Sequence, residues 1–148
     1  MPCCHSRDPE KSFEAAAGRI RRMRFTLEFA DSEVRDVTLE DGTARVRFAA
    51  ASVRDADGAH GWMPGVVLAL SEATLAGEAT HAFGRIAQGR LRHDAHDVPC
   101  LALPGKLAGR LELALRFAND TWLTLNGRTL ALSLPGDALS LFKEDLSC

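Results

Sequence analysis

The sequence lacks the patterns by which cofactor-binding and catalytic domains are most often recognised. It contains no glycine-rich phosphate-binding motif, no G-x-S-x-G nucleophile motif and no C-x-x-C pair of the kind found in zinc ribbons. Nucleotide-dependent, α/β-hydrolase and zinc-ribbon functions are therefore not expected. Tyrosine is absent and arginine far outnumbers lysine, which indicates a GC-rich bacterial genome rather than a particular function.

A strong net charge and a long apolar run are missing as well. The 148 residues carry a formal net charge of −2, which excludes the basic field typical of nucleic-acid binders. No apolar run approaches the roughly 20 residues that span a bilayer. The polar, charged start of the chain also lacks the apolar core of a signal peptide. We therefore expect a cytoplasmic protein without a membrane segment and without a nucleic-acid partner.

Cysteine is scarce and its spacing is uninformative. Cys3, Cys4, Cys100 and Cys148 are either adjacent or far apart. Because a reducing cytosol keeps cysteines as thiols, the expectation for all four is the free thiol.

The first segment, residues 1–24, is polar, alanine-rich and basic at its end, where residues 19–24 read RIRRMR. It shows no strand-like alternation, so we expect a flexible tail with at most a helical turn. Met23 is an alternative start of translation. The basic run is typical of a solvated surface segment, and contact with phosphates or lipid headgroups is the alternative.

From Phe25 the pattern changes to the period-two alternation of β-strands. Residues 25–29 place Phe25, Leu27 and Phe29 on one face. Two Gly-containing dipeptides predict hairpins, Asp41-Gly42 between residues 34–40 and 44–48, and Asn126-Gly127 between residues 122–125 and 129–134.

Further strands are predicted along the rest of the chain. They cover residues 66–75, expected to be buried on both faces, a glycine-interrupted segment at 83–92, an edge strand at 100–103, an amphipathic strand at 107–117 and a last strand at 138–142. Eight or nine short strands with frequent turns predict a single all-β domain over residues 25–148. Its expected architecture is an antiparallel β-sandwich or barrel.

The stretch LRHDAHDVPC, residues 91–100, holds the densest set of metal-ligand side chains. His93, His96 and Cys100 have the ligand types that zinc prefers, with Asp94 or Asp97 available for a metal-dependent enzyme. A second ligand pair is missing from the spacing, and residues three apart on a strand point to opposite faces, so the two histidines converge only across a loop or turn. A solvated connection between strands is the favoured interpretation, and a zinc site is the alternative.

A contact surface is predicted in the loop that contains His60, Trp62 and Met63, together with Trp122, because tryptophan is enriched at binding hot spots. The expected function is a protein-binding or self-associating module without a cofactor, and an enzyme is not favoured. A third hypothesis is a barrel that holds a small ligand. It requires an interior cavity lined by Val66, Leu68, Leu111 and Leu113.

Overall fold

The computed structural model describes residues 25–136 and 141–144, which form one antiparallel sheet of eleven strands. The predicted tail, residues 1–24, lies outside the described residues. In chain order the elements are β1 (Phe25–Glu40), β2 (Thr43–Asp55), β3 (His60–Met63), β4 (Val67–Ser71), β5 (Thr74–Gly77), a 3₁₀ helix (Ala79–His81), β6 (Gly84–His93), β7 (His96–Val98), β8 (Leu101–Leu103), β9 (Gly105–Phe117), β10 (Trp122–Ser133) and β11 (Lys143–Glu144).

Six of these strands close into a barrel in the order β2-β4-β10-β9-β6-β1, because β1 also pairs with β2. The other strands extend it at the margins. β3 and β11 continue the sheet beside β2, while β8, β7 and β5 lie beside β1, β6 and β10 respectively. The predicted all-β antiparallel fold is confirmed, and of the two architectures the chain adopts the barrel.

The core is built from the alternation seen in the sequence. Phe25, Leu27 and Phe29 of β1 are all buried, as predicted, and the apolar face of β9 is buried along the same interior. A barrel of about eight strands is just wide enough for side chains to fill it, so six strands leave a still narrower interior. One continuous hydrophobic core therefore occupies the barrel.

The first predicted hairpin is confirmed. Glu40 lies opposite Thr43, and the two residues between them, Asp41 and Gly42, have φ values of 51° and 77°. Two consecutive residues with positive φ match the right-handed twist of the flanking strands, which is why Asp-Gly is favoured here.

The segments predicted as separate strands at 25–29 and 34–40 are one long strand with an irregularity. The register of β1 against β2 shifts between Glu28 and Glu33. Ser32 lies in this irregularity with a fully buried side chain. Its Oγ accepts a hydrogen bond from the N–H of Ser52 at 2.8 Å and donates one to the carbonyl of Glu28 at 2.7 Å. A side chain thus replaces the backbone pairing that the irregularity interrupts.

The second predicted hairpin is wrong. Asn126 and Gly127 lie inside β10, where they pair with Glu112 and Leu111 of β9. A Cβ on Gly127 would lie 2.5 Å from Cγ of Leu70 and 2.7 Å from the carbonyl oxygen of Ser71. The glycine is needed because β4 approaches the backbone closely, not because the chain turns.

Three other predicted strands differ in detail. The segment 66–75 divides into β4 and β5 at a corner around Glu72 and Ala73, and outward-facing residues such as Val67 are half-buried rather than fully buried. The strand expected at 138–142 lies mostly outside the described residues, and the short β11 follows it. The glycine-interrupted segment forms β6, where a Cβ on Gly89 would collide with Phe29.

The barrel has two distinct ends. The entry end is where β1 begins, with Phe25 opposite Asp55 of β2 and Leu103 of β8. The hairpin end is the opposite one. It carries the Asp41-Gly42 turn, the corner before β5, β5 itself, the 3₁₀ helix, and the turn at residues 118–121 that joins β9 to β10.

Candidate functional site

The stretch LRHDAHDVPC forms a tight hairpin between β6 and β7 rather than an open loop. His93 lies directly opposite His96, and Asp94 and Ala95 form the turn with φ values of 50° and 71°. Residues directly opposite each other on antiparallel strands project to the same face of the sheet. The two histidines therefore share a face, because the turn reverses the chain between them.

Both imidazole rings are held by backbone carbonyls. His93 donates from Nε2 to the carbonyl of Ala108 at 2.8 Å, and His96 donates from Nδ1 to the carbonyl of Asp94 at 3.0 Å. A carbonyl oxygen only accepts, so each of these nitrogens carries the proton. One nitrogen on each ring is left for solvent or a ligand.

Asp94 fastens this hairpin to β9. Its Oδ1 accepts a hydrogen bond from the backbone N–H of Arg110 at 3.0 Å. This bond is the main reason that the pKa of Asp94 lies below its usual value; the charges of His93, Arg110 and His96 lower the pKa further and burial opposes them. A Cβ on Gly109 would lie 2.9 Å from Nε2 of His93, so glycine permits this approach. These contacts hold the β6–β7 hairpin against β9, which is a structural role.

Cys100 does not contribute a thiolate. It is disulfide-bonded, contrary to the expectation of free thiols, and its partner lies outside the described residues. A sulfur in a disulfide neither serves as the thiolate ligand of zinc nor attacks as a nucleophile. Within residues 25–136 and 141–144, no group of three or more His, Cys, Asp or Glu side chains is arranged to hold a metal ion. Of the three predicted zinc ligands, His93 and His96 are left.

The second candidate region is mostly built into the domain. His60 and Gly61 belong to β3 rather than to the preceding loop, and Met63 is fully buried in the core. The ring of His60 packs edge-on against Trp62 at a centroid distance of 5.1 Å, and its Nε2 lies 2.8 Å from Oγ of the buried Ser52. Met63 therefore cannot contact a partner on the folded domain, and His60 and Trp62 are half-buried.

Trp122 lies far from that region. It begins β10 at the hairpin end, whereas β3 pairs with the last residues of β2, close to the entry end. Its side chain is 57% exposed, and the guanidinium carbon of Arg116 lies 5.5 Å from the ring centroid, a cation–π contact. The structure thus does not bring the four predicted contact residues into one surface.

A different surface surrounds Trp122. Among the described residues, the large hydrophobic side chains that remain exposed are Leu39, Phe83 and Trp122, at 43%, 49% and 57%. All three lie at the hairpin end: Leu39 just before the first turn, Phe83 just after the 3₁₀ helix, and Trp122 just after the turn at residues 118–121. We call these three residues the exposed apolar residues; β1 and β10, which carry Leu39 and Trp122, are separated by two strands in either direction around the barrel.

Hydrogen bonds and strand pairing connect the segments that carry the exposed apolar residues. The N–H of Ala73, next to β5, donates to the carbonyl of Gly42 at 2.8 Å, which connects the first turn to β5. β5 pairs with β10 beside Trp122. The side chain of Asn119 donates to the carbonyl of His81 at 3.1 Å, and the 3₁₀ helix packs against β1.

The hairpin end is also acidic. Glu40 and Asp41 flank the first turn, Glu72 occupies the corner before β5, and Glu78 precedes the 3₁₀ helix; all four are exposed. We call these four residues the acidic rim. Among the described residues, the ion pair made by the rim is between Glu78 and His81, at 3.2 Å. The hairpin end therefore carries exposed carboxylates as well as exposed apolar side chains, and Arg116 places a positive charge on the ring of Trp122.

Leu39 and Phe83 were not predicted as surface residues. Leu39 is in phase with the buried Val37, so alternation indicates the core for both. It is exposed because β1 continues beyond the end of the core. Phe83 precedes Gly84, whose φ of 93° redirects the chain before β6 begins. Alternation indicates which face a residue occupies, but not how far along the strand that face is covered.

The cavity observed beside β8 is small. It measures about 120 Å³ and is lined by residues that include Val98, Leu101 and Leu107. Pockets for small ligands usually enclose roughly 300–1,000 Å³. The four residues required by the ligand-barrel hypothesis (Val66, Leu68, Leu111 and Leu113) are instead part of the packed core.

Comparison with known proteins adds no relative to this description: no family model, no curated protein and no solved structure matches the chain. In the described part of the chain there is also no helix with the length and apolar content to cross a membrane.

Proposed function

We propose that this domain is a protein-binding module and that the hairpin end is its contact surface. The observation that carries the proposal is that the large hydrophobic side chains exposed in the described part of the chain, Leu39, Phe83 and Trp122, all lie at this end of the barrel. Aromatic side chains, tryptophan above all, are the usual anchors of protein interfaces.

The surroundings of these side chains support a protein partner. Protein interfaces commonly combine apolar side chains with polar ones at their margin, and here the acidic rim supplies polar groups at the same end of the barrel. The cation–π contact with Arg116 limits the rotamers of Trp122, which lowers the entropy lost on binding. Two histidines held by backbone carbonyls and a narrow, filled barrel give the zinc and ligand-barrel alternatives weaker support.

Site-specific photo-cross-linking tests the proposal. A photoreactive phenylalanine analogue is placed in the full chain at Phe83, at Trp122 and, as the matched control, at Lys106, which is exposed near the entry end. After irradiation in the producing cells, we expect adducts from positions 83 and 122 and none from 106. Equal adducts from all three positions, or none from any, would contradict the proposal.

Trp122→Ala provides the quantitative check once a cross-linked partner is identified. Loss of a central tryptophan anchor typically costs about 2 kcal/mol or more, which is roughly a thirtyfold loss of affinity. Trp62→Ala is the control, because Trp62 is half-buried on β3 and lies away from the hairpin end. It should leave the affinity of the same partner unchanged.

A further inference from the structure

The strand β5 has a free edge. It pairs with β10 along its whole length, and none of the described residues pairs with its other side. Backbone hydrogen bonds outside the strands, as far as the structure describes the chain, do not involve residues 74–77. In an antiparallel pair, alternate residues direct both their N–H and their C=O away from the partner strand. The outer edge of β5 therefore presents backbone donors and acceptors to solvent.

The other short strands at the margins of the sheet carry protection that β5 lacks. Lys143 and Glu144 make up β11, β7 contains Asp97, and β8 lies between Pro99 and Pro104. Charged side chains and prolines on an edge hinder the addition of a further strand. The sequence of β5 is TLAG, which contains neither. Its edge is therefore open to strand addition.

The side chains of β5 determine what an added strand must offer. Leu75 is partly buried and packs against the hydrophobic core, whereas Thr74 and Ala76 are exposed. Side chains that lie opposite each other on neighbouring strands share a face, and successive side chains alternate between faces. An added strand therefore needs an apolar side chain beside Leu75 and polar ones beside its two neighbours.

Carboxylates lie at both ends of this edge. Glu72 precedes β5 by two residues and Glu78 follows it directly, and both are exposed. Within the described part of the chain Glu72 forms no ion pair, and Glu78 pairs with His81 at 3.2 Å. The N–H of Ala73 donates to the carbonyl of Gly42 at 2.8 Å. The first turn, which carries the rest of the acidic rim, therefore lies at the start of β5.

Two arginines lie on β10 and β9 towards this end of the barrel. Arg128 is on β10, between the residues that pair with β5 and those that pair with β4, and it forms no ion pair among the described residues. Arg116 is on β9, which β10 separates from β5, and it pairs with Asp120 at 3.3 Å. One unpaired arginine does not balance the four carboxylates of the acidic rim.

We infer that the free edge of β5 binds an extended segment of another protein as an added β-strand. The segment places an apolar side chain beside Leu75, and its flanking lysines or arginines pair with Glu72 and Glu78. In strand addition the backbone hydrogen bonds supply affinity and the side chains supply specificity. The inference rests on the proposed function, because β5 belongs to the hairpin end, and it specifies how that end binds its partner.

A second copy of the chain is a poor occupant of this edge. Antiparallel pairing of two β5 strands about a twofold axis places Gly77 of each copy opposite Thr74 of the other. Glu78 of each copy then approaches Glu72 of the other, and like charges across paired strands are destabilising. The carboxylates that attract a basic segment therefore oppose self-pairing.

NMR titration of the isotope-labelled full-length chain tests the inference. The probe is the capped peptide KKTVTVTKK, whose β-branched centre favours an extended strand. One control peptide, EETVTVTEE, has acidic flanks. The other, KKTPPPTKK, keeps the basic flanks but lacks the central N–H groups that a strand ladder needs. Each peptide is added up to about 1 mM, which detects weak binding.

The amide signals of residues 74–77 should shift with KKTVTVTKK, and high salt should weaken this binding because exposed ion pairs are screened. Both control peptides should bind at least about tenfold more weakly, one because its flanks are repelled and the other because ladder hydrogen bonds are lost. Glu72→Lys/Glu78→Lys should reverse the preference between the two charged peptides.

Glu112→Lys is the matched charge control, because Glu112 is exposed on β9 and β10 separates it from β5. It should keep the preference of the wild type. Circular dichroism verifies that both variants fold.

Unshifted signals at residues 74–77, equal binding of the three peptides, or an unchanged preference in the Glu72→Lys/Glu78→Lys variant would overturn the inference. A wild-type dimer formed through β5 would also overturn it, because a second copy would then occupy the edge. Failure of the proposed function looks different. If positions 83 and 122 cross-link to a protein but β5 binds no peptide, the contact surface stands and strand addition is wrong. If β5 binds the peptide but those positions form no adducts, strand addition stands and the exposed aromatic side chains are not the contact.

Discussion

At the scale of single residues, Ser32 shows how one side chain maintains the barrel. The side chain is fully buried, and it satisfies the backbone N–H of Ser52 and the backbone carbonyl of Glu28 where the register of β1 and β2 shifts. A buried backbone group left without a partner costs about 1–3 kcal/mol. Position 32 therefore needs a hydroxyl side chain, because the backbone pairing of β1 and β2 is interrupted there.

Ser32→Ala should lower the free energy of unfolding by about 1–3 kcal/mol, measured by urea denaturation, because it removes the partner of two backbone groups. Ser133→Ala is the matched control. Ser133 is exposed, and its Oγ lies 3.5 Å from the carbonyl of Val67, so we expect almost no change. An unchanged urea midpoint for Ser32→Ala would contradict this role.

The candidate site could be predicted only in part at this scale. Residue types at positions 93 and 96 indicated possible ligands, but the turn that places them on one face depends on positive φ at Asp94 and Ala95, which neither residue type requires. Met63 was predicted as a surface residue because it is close to Trp62 in sequence. On a strand, neighbouring residues point to opposite faces, so Met63 lies in the core.

At the scale of elements, the two Gly-containing dipeptides had opposite outcomes. Asp41-Gly42 forms the predicted turn, while Asn126-Gly127 is embedded in β10. The difference arises from partners that are distant in sequence, since β4 approaches Gly127 and leaves no room for a side chain. Local sequence signals therefore predicted the class of fold and most strands. They could not predict which glycine serves a turn and which one serves packing.

Gly127→Ala should destabilise the domain by about 1–3 kcal/mol, because the added methyl group would overlap Leu70 and the backbone of Ser71. Gly136→Ala is the control, since a Cβ at that position meets no atom within 4 Å. Thermal unfolding of both variants provides the measurement. If Gly127→Ala were as stable as the wild type, the close approach of β4 would be wrong.

At the scale of the whole molecule, the disulfide of Cys100 adds a covalent link to a barrel already closed by hydrogen bonds. Such a link stabilises a protein mainly because it restricts the unfolded chain, typically by about 2–4 kcal/mol. The expectation of free thiols followed from the predicted cytoplasmic location and not from the positions of the cysteines. The sequence could not predict the disulfide, because two cysteines that are distant in sequence leave no local pattern when they pair.

Reduction should therefore lower the melting temperature of the wild-type domain. Alkylation of the native protein without reductant should leave Cys100 unmodified, as read by peptide mass spectrometry, and alkylation after reduction should label it. Cys100→Ser is the control. This variant lacks the disulfide of Cys100, so reductant should not lower its melting temperature through the loss of that bond. Labelling of Cys100 before reduction would contradict the disulfide.

The order of strands around the barrel has a consequence for how the chain folds. β4, β2 and β1 are neighbours in the first half of the chain, and β10, β9 and β6 are neighbours in the second half. Two seams join the halves, one between β4 and β10 and one between β6 and β1. Neither half closes on its own, and each seam joins residues that are far apart in sequence, which makes folding slow. During synthesis, the growing sheet therefore has two edge strands without a partner until β10, the last barrel strand, has been made.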